Sequence, residues 1–105
     1  MIGIECEPLS PQLADYFGVK HGVLVRTVIK NAPAEHAGVK AGDVITKVGD
    51  KPVTSAFELT NYLRNRTAKT VLLGLTRDHK EITVSVTTEE FSPGNQPVNN
   101  VAAPQ

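Results

Sequence analysis

Residues 31–45, which read NAPAEHAGVKAGDVI, predict a short helix, a glycine turn and an apolar strand in close succession. Pro33 suits the first turn of a helix, where its missing N–H costs nothing, and Gly38 ends the helix after one or two turns. Gly42 then turns the chain into the strand. We expect the short carboxylate of Asp43 to accept hydrogen bonds from nearby backbone N–H groups.

The segments before this stretch predict two strands separated by a short helix. Apolar and polar residues alternate over residues 4–9, which is typical of a strand. Ser10 and Pro11 have the residue types of an N-cap and a first helical residue, and Gly18 ends the helix that they begin. Residues 22–29, GVLVRTVI, are β-branched and nearly uncharged, so they predict a mostly buried strand.

The segment after it predicts a tight turn, a brief return strand over residues 51–53 and a longer helix. Ser55, followed three residues later by Glu58, has the spacing of a capping box. The helix that it opens is expected to run to about residue 66. Four residues are expected to supply an apolar stripe that faces the core: Phe57, Leu59, Tyr62 and Leu63.

Two more strands and a polar tail complete the prediction. Residues 70–76 and 81–87 alternate as two strands across a hairpin turn at residues 77–80. After residue 88 the chain becomes rich in Pro, Asn, Gln, Gly and Ala, with little to bury. We therefore predict one α+β domain over residues 1–88, with five to six short antiparallel strands and two to three helices. Residues 89–105 are predicted to form a flexible tail or linker.

Composition and charge exclude several classes of protein. The 105 residues carry 11 basic and 11 acidic side chains, a balance without the electrostatic footprint of a nucleic-acid binder. No apolar run approaches the roughly 20 residues that span a bilayer, so we expect no direct membrane insertion. The single cysteine, Cys6, excludes an internal disulfide. The three histidines share no ligand spacing, and we expect no metal and no cofactor.

No arrangement of residues in the sequence predicts catalysis. Nucleophilic catalysis needs a serine or cysteine positioned beside a histidine and an acid. The serines here occupy cap, strand or tail positions, and the G-x-S-x-G pattern does not occur. The stretch GVKAGD lacks the lysine and hydroxyl of a phosphate-binding loop. We expect this chain not to be an enzyme.

The first residues predict a loop that turns sharply into a strand. Gly3 lies between Ile2 and Ile4, a glycine between two branched apolar residues, and alternation follows. Such a loop can direct successive backbone N–H groups into one concavity, which binds an anion such as a peptide carboxylate. The same glycine is also explained by the turn alone. Because Met1 directly precedes this motif, we expect the chain to be a domain excised from a longer protein.

Three blocks of the sequence resemble a PDZ domain, specifically that of bacterial HtrA/Deg-type serine proteases. Residues 2–4 (IGI) are similar to the carboxylate-binding loop of that family. Residues 8–14 (PLSPQLA), followed by residues 22–25 (GVLV), resemble the segment that joins this loop to the second strand. Residues 32–45 resemble the stretch S/A-P-A-x-x-A-G-L/V-x-x-G-D-x-I, which other bacterial PDZ proteins share. The resemblance implies a PDZ-like, partly open antiparallel β-barrel or sandwich.

The resemblance also implies capture of a C-terminal peptide between the strand at residues 4–9 and the helix at residues 56–65. Backbone N–H groups of the carboxylate-binding loop would hold the terminal carboxylate: Ile2, Gly3 and Ile4. The implied groove residues are Glu5, Cys6, Ala56, Leu59, Thr60 and Leu63. Because the residues around the terminal pocket are apolar except Thr60, an apolar terminal residue such as Val, Leu, Ile, Ala or Phe is expected.

By resemblance, the chain is the substrate-recognition or regulatory domain of an HtrA-type serine protease. Its partners would be C-terminal peptides of unfolded or signalling proteins and the protease domain of its own parent chain. The alternative is a scaffolding PDZ domain in a secretion or cell-envelope assembly, or in another membrane-associated protease. A periplasmic or cell-envelope location is implied by the resemblance alone. The isolated domain is expected to be monomeric, because assembly of the parent is expected from the protease domain.

Overall fold

Residues 2–66 and 68–87, which the computed structural model describes, form six strands and three helices. In chain order these are β1 (Ile4–Pro8), α1 (Pro11–Phe17), β2 (Val23–Val28), α2 (Pro33–Ala37), β3 (Val44–Val48), β4 (Lys51–Pro52), α3 (Ala56–Arg64), β5 (Thr70–Arg77) and β6 (Lys80–Thr87). The predicted tail at residues 89–105 lies outside the described residues. The remaining elements follow the predicted order, with ends that differ by at most two residues.

The strands form one antiparallel sheet in the order β1-β2-β3-β5-β6, and β4 pairs with β3 beside this path. β1 and β6 are the two ends of that order, so the sheet is open within the described part of the chain. This architecture confirms the predicted partly open, antiparallel α+β fold. One side of β1 therefore has no neighbouring strand among the described residues.

Helix α3 packs against the sheet through only part of the predicted apolar stripe. Leu59 and Leu63, one turn apart, are 4% and 2% exposed and belong to the core, and Tyr62 packs against its margin. The prediction for Phe57 is wrong, since its side chain is 74% exposed. Each helical residue advances about 100° around the axis, so Phe57 lies on the opposite side of α3 from Leu59.

The predicted helix caps are present, with one difference. The Ser10 hydroxyl accepts the Leu13 N–H at 3.1 Å and begins α1, and the Ser55 hydroxyl accepts the Glu58 N–H at 3.1 Å and begins α3. A capping box returns its glutamate to the N–H of the N-cap residue. Here the Glu58 carboxylate instead accepts the N–H and hydroxyl of Thr54, at 2.8 and 2.6 Å.

The stretch 31–45 forms the predicted turn, and its Asp43 also forms an ion pair with a residue far along the chain, Arg77. Asp43, only 2% exposed, accepts the Lys40 N–H at 2.8 Å, as expected from the sequence. Its two carboxylate oxygens also accept hydrogen bonds from Nε and Nη2 of Arg77, at 2.8 and 2.7 Å. Arg77 donates further to the Gly38 carbonyl at 2.8 Å. The ion pair therefore joins the loop before β3 to the end of β5.

Candidate functional site

The open edge of the sheet is the side of β1 that faces away from β2. β1 pairs with β2, and Ile4 lies opposite Val28. The Ile29 N–H donates to the Gly3 carbonyl at 2.8 Å, which turns that carbonyl toward β2. Because bonding directions alternate along an antiparallel strand, the N–H and C=O groups of Ile4 face the open edge. A further strand can bond to these groups.

Helix α3 faces this edge across a cleft of about 200 Å³. Pockets that take small molecules usually measure about 300–1,000 Å³, so the size of the cleft fits a single side chain better than a cofactor. Eight of the described residues line it: Ile2, Gly3, Ile4, Cys6, Ala56, Leu59, Thr60 and Leu63. All eight are among the nine residues named from the sequence, and the structure brings them together around one concavity. Their part in binding stays a prediction.

The loop at the end of the cleft is shaped by its contacts with residues 29–34. Ile2 is 1% exposed, and its carbonyl accepts the Ala34 N–H at 2.9 Å. Gly3 has a φ of +86°, a conformation that glycine adopts without steric cost. A Cβ atom at Gly3 would lie 2.2 Å from the Ala32 Cβ, which is far closer than contact distance. Both the backbone angle and the close approach to Ala32 therefore require glycine here.

The wall of the cleft is almost entirely apolar. Leu59 and Leu63 form its buried side, while Ala56 and Thr60 lie nearer its rim. Thr60 supplies the one side-chain hydroxyl among the lining residues. A surface of this kind favours an aliphatic or aromatic side chain, because burying apolar area is favourable by roughly 25 cal/mol per Å².

Cys6 contributes a small apolar wall rather than a reactive thiol. Its side chain is half-buried, and burial raises its pKa to about 11. The thiol is consequently protonated near neutral pH, whereas nucleophilic cysteines act as thiolates. Cys6 thus behaves as a residue of the cleft surface.

Glu5, the ninth residue named from the sequence, does not line the cleft. Ile4 and Cys6 point into it, so the alternation of a strand places Glu5 and Glu7 on the opposite face of β1. There both glutamates meet Arg26 of β2, at 3.2 and 3.8 Å. Glu7 and Arg26 were not among the residues predicted from the sequence, although the alternation of β1 already separates the two faces.

Among the described residues, neither a metal-binding group nor a membrane-spanning helix is found. In residues 2–66 and 68–87, no group of three or more His, Cys, Asp or Glu side chains could hold a metal ion. The same residues include no helix long and apolar enough to cross a membrane.

Comparison with known proteins identifies the family of this chain. Residues 1–88 match the PDZ domain family. The chain belongs to the PDZ domain family. This PDZ domain is also similar to a solved structure, the HtrA3 PDZ domain bound to a phage-derived ligand, FGRWV. The two share 29% identity with a TM-score of 0.74, over 83% of this chain and 82% of the other.

The PDZ domain has curated relatives among HtrA-type serine proteases. It is 45% identical over 78 residues to the serine protease Do-like HtrA of Lactococcus lactis. It is 37% identical over 90 residues to the periplasmic pH-dependent serine endoprotease DegQ of Escherichia coli. The matches cover 73% and 83% of the PDZ domain but only 19% and 20% of those relatives. The chain therefore spans about a fifth of their length. Its sequence is that of a PDZ domain of the HtrA protease type.

Proposed function

We propose that this PDZ domain binds the free C-terminal ends of polypeptides as an added strand on β1. The observation that carries the proposal is the position of an apolar cleft directly beside the open edge of β1. Main-chain hydrogen bonds to an edge strand supply affinity in this mode, and pockets for alternate side chains supply selectivity.

The loop at Gly3 sets the direction of the bound peptide. Backbone N–H groups of Ile2, Gly3 and Ile4 are proposed to hold the terminal carboxylate at the start of β1. The peptide then runs antiparallel to β1, and its terminal side chain enters the cleft between Ile4 and Leu63. Because the cleft is apolar, Val, Leu, Ile, Ala or Phe is the expected terminal residue. The valine at the end of the ligand bound to the HtrA3 PDZ domain supports this expectation.

Catalysis is assigned to other parts of a longer parent protein. The curated relatives are named as serine proteases, and the chain spans about a fifth of their length. In this proposal the PDZ domain recruits substrates or regulates the protease, and it is not itself an enzyme. The name of the E. coli relative supports a periplasmic or cell-envelope location. The isolated domain is proposed to be a monomer, which sedimentation velocity can measure.

The test is titration of peptides that differ only at their C-terminus. A screen of free-acid peptides supplies the best sequence, which is then compared with its C-terminal amide. Hydrogen bonds to a charged group contribute about 1.5–3 kcal/mol, so amidation should weaken binding by about tenfold or more. Equal binding of acid and amide would indicate recognition of internal segments instead. Failure of every peptide to bind would favour the scaffolding alternative.

A matched pair of variants locates the binding site. Ala56→Trp fills the cleft from an exposed position, so it should weaken peptide binding by about tenfold or more without disturbing the core. Phe57→Trp adds the same side chain to the next residue, which lies off the cleft and is exposed. This control should bind the peptide with an affinity within about twofold of the unmodified domain. Equal affinities in the two variants would place the site elsewhere.

A further inference from the structure

Three charged side chains form a group on the face of β1 that points away from the cleft. Arg26 Nη2 lies 3.2 Å from Glu5 Oε1, and Arg26 Nε lies 3.8 Å from Glu7 Oε2. The side chains of Arg26, Glu5 and Glu7 are 59%, 53% and 43% exposed. We call these three residues the outer-face triad.

An irregularity in strand pairing creates the outer-face triad. Glu5 lies opposite Thr27, whereas the next residue, Cys6, lies opposite Val25. Arg26 is therefore an extra residue in β2, as in a β-bulge. This position lets one guanidinium reach the glutamates on either side of Cys6. With two carboxylates and one guanidinium, the triad carries a formal charge of −1 when all three groups are ionised.

A strand added to β1 presents alternate side chains to the two faces of the sheet. If its terminal side chain enters the cleft with Ile4 and Cys6, its penultimate side chain points to the opposite face. That is the face of Glu5 and Glu7. Directly opposed residues on neighbouring strands have Cβ atoms about 4.5–5.5 Å apart, close enough for charges to interact.

We propose that the outer-face triad makes this domain select ligands with Lys or Arg as the penultimate residue and disfavour Asp or Glu there. The inference rests on the proposed capture of C-terminal peptides by β1. A basic side chain at that position brings a second positive charge to the two carboxylates of Glu5 and Glu7. An acidic side chain places a third carboxylate beside one guanidinium that both glutamates already contact. Opposite charges across strands stabilise the pair, and like charges destabilise it.

The direct test uses three free-acid peptides that end in Lys-Val, Gln-Val or Glu-Val and are otherwise identical. The quantity measured is the ratio of the Kd of the Glu peptide to that of the Lys peptide. Because the triad is solvent-exposed, we expect a ratio of about three to ten at low salt. The ratio should approach one in about 0.5 M salt, where the charges are screened. The Gln peptide should fall between the other two.

Variants assign the ratio to the outer-face triad. In Glu5→Gln/Glu7→Gln, Arg26 has no carboxylate beside it on β1, so the ratio should fall to one or below. In Arg26→Gln both glutamates lose their cation, and the ratio should rise above that of the unmodified domain. Glu81→Gln removes an exposed carboxylate from β6, at the other end of the sheet, and should leave the ratio unchanged.

The outcomes separate this inference from the proposed function. Equal Kd values for the Lys and Glu peptides, with binding that still requires the free carboxylate, would overturn the inference alone. A ratio that the double glutamine variant does not change would also overturn it, provided that circular dichroism shows a folded domain. If none of the three peptides binds, or if acid and amide bind alike, both the proposed function and this inference are wrong.

Discussion

At the scale of single residues, Gly3 is subject to two separate constraints. Its φ of +86° disfavours any residue with a Cβ atom, and the Ala32 side chain occupies the space that this atom would need. Gly42 has a similar φ of +97°, but no atom of residues 2–66 and 68–87, its own chain neighbours apart, lies within 4 Å of the position of its missing Cβ. The two glycines therefore separate the cost of the backbone angle from the cost of crowding.

We predict that Gly3→Ala destabilises the domain more than Gly42→Ala does. The left-handed backbone conformation costs a non-glycine residue roughly 1–2 kcal/mol, which is the loss expected for Gly42→Ala. Crowding adds about 1–3 kcal/mol for Gly3→Ala, and peptide binding should weaken with it because the loop must move. Urea denaturation of both variants measures the difference. Equal losses of unfolding free energy would contradict the close approach to Ala32.

Cys6 supplies a second prediction at this scale. Since burial raises its pKa to about 11, the thiolate fraction at pH 8 is far smaller than in an unfolded chain. Alkylation by iodoacetamide at pH 8 should be about tenfold slower, or more, in the folded domain than in concentrated urea. The rate in the folded domain should rise with pH up to about 11. Equal rates in the folded and unfolded chain would contradict the burial of this thiol.

At the scale of elements, the start of α3 carries a titratable contact. Hydrogen bonds from Thr54 lower the pKa of Glu58 below its ordinary value of 4.5, and the bond from the hydroxyl has a larger effect than the bond from the backbone N–H. A carboxyl group with a lower pKa in the folded than in the unfolded chain stabilises the fold at any pH where the group is ionised in both forms. This stabilisation is present above pH 4.5 and is lost as the pH falls through the lowered value of the folded state.

We therefore predict that Glu58→Gln flattens the dependence of stability on pH in the acid range. Unfolding free energies from urea denaturation between about pH 3 and pH 5 should rise less steeply with pH in the variant. Thr54→Val keeps the carboxylate but removes the hydroxyl donor, and its profile should lie between the other two. Parallel profiles for Glu58→Gln and the unmodified domain would show that the Thr54 contact does not favour the ionised form.

At the scale of the whole molecule, the ion pair of Asp43 and Arg77 joins two parts of the fold. Asp43 is 2% exposed on its side chain and Arg77 is 30% exposed. The hydrogen bonds from Arg77 to Asp43 raise the pKa of the Arg77 guanidinium above its ordinary value. By contrast, the pair of Arg26 and Glu5 is more than half exposed on both sides.

We predict that Arg77→Met destabilises the domain much more than Arg26→Met does. Removing one partner of a buried pair leaves an uncompensated charge, and the cost is about 3–5 kcal/mol. Because Arg77 is partly exposed, we expect the lower end, about 3 kcal/mol. Exposed pairs contribute about 0–1 kcal/mol, so Arg26→Met should stay within that range. Similar losses in both variants, measured by urea denaturation, would contradict a structural role for the Asp43–Arg77 pair.

Features that depend on neighbours in the chain were predictable from the sequence. Ser10 and Ser55 cap their helices, each through an N–H three residues later. The hairpin was predicted at residues 77–80, and the structure narrows its turn to Asp78 and His79, whose φ values are +53° and +65°. Such features follow from local sterics and hydrogen bonds, so short patterns of residue types are enough to predict them.

The cleft was predicted in outline, because the resemblance to PDZ domains named all eight residues that line it. What the resemblance did not provide was the face on which each neighbouring charge lies. Glu5 was assigned to the groove, but it lies on the outer face with Arg26, a residue that the bulge in β2 adds to the strand. The packing side of Phe57 was also missed, since helical spacing defines a stripe without stating which residues lie at its centre.

The order of the elements, the N-cap serines, the turns and the family of the chain therefore follow from short patterns of residues along the sequence. Which residues meet across the fold follows only from its tertiary arrangement. Arg26 bonds to Glu5 over a separation of 21 residues and Arg77 to Asp43 over 34. Contacts of this range depend on strand register, and a shift of one residue turns every side chain to the other face. Patterns within a single element do not contain that register.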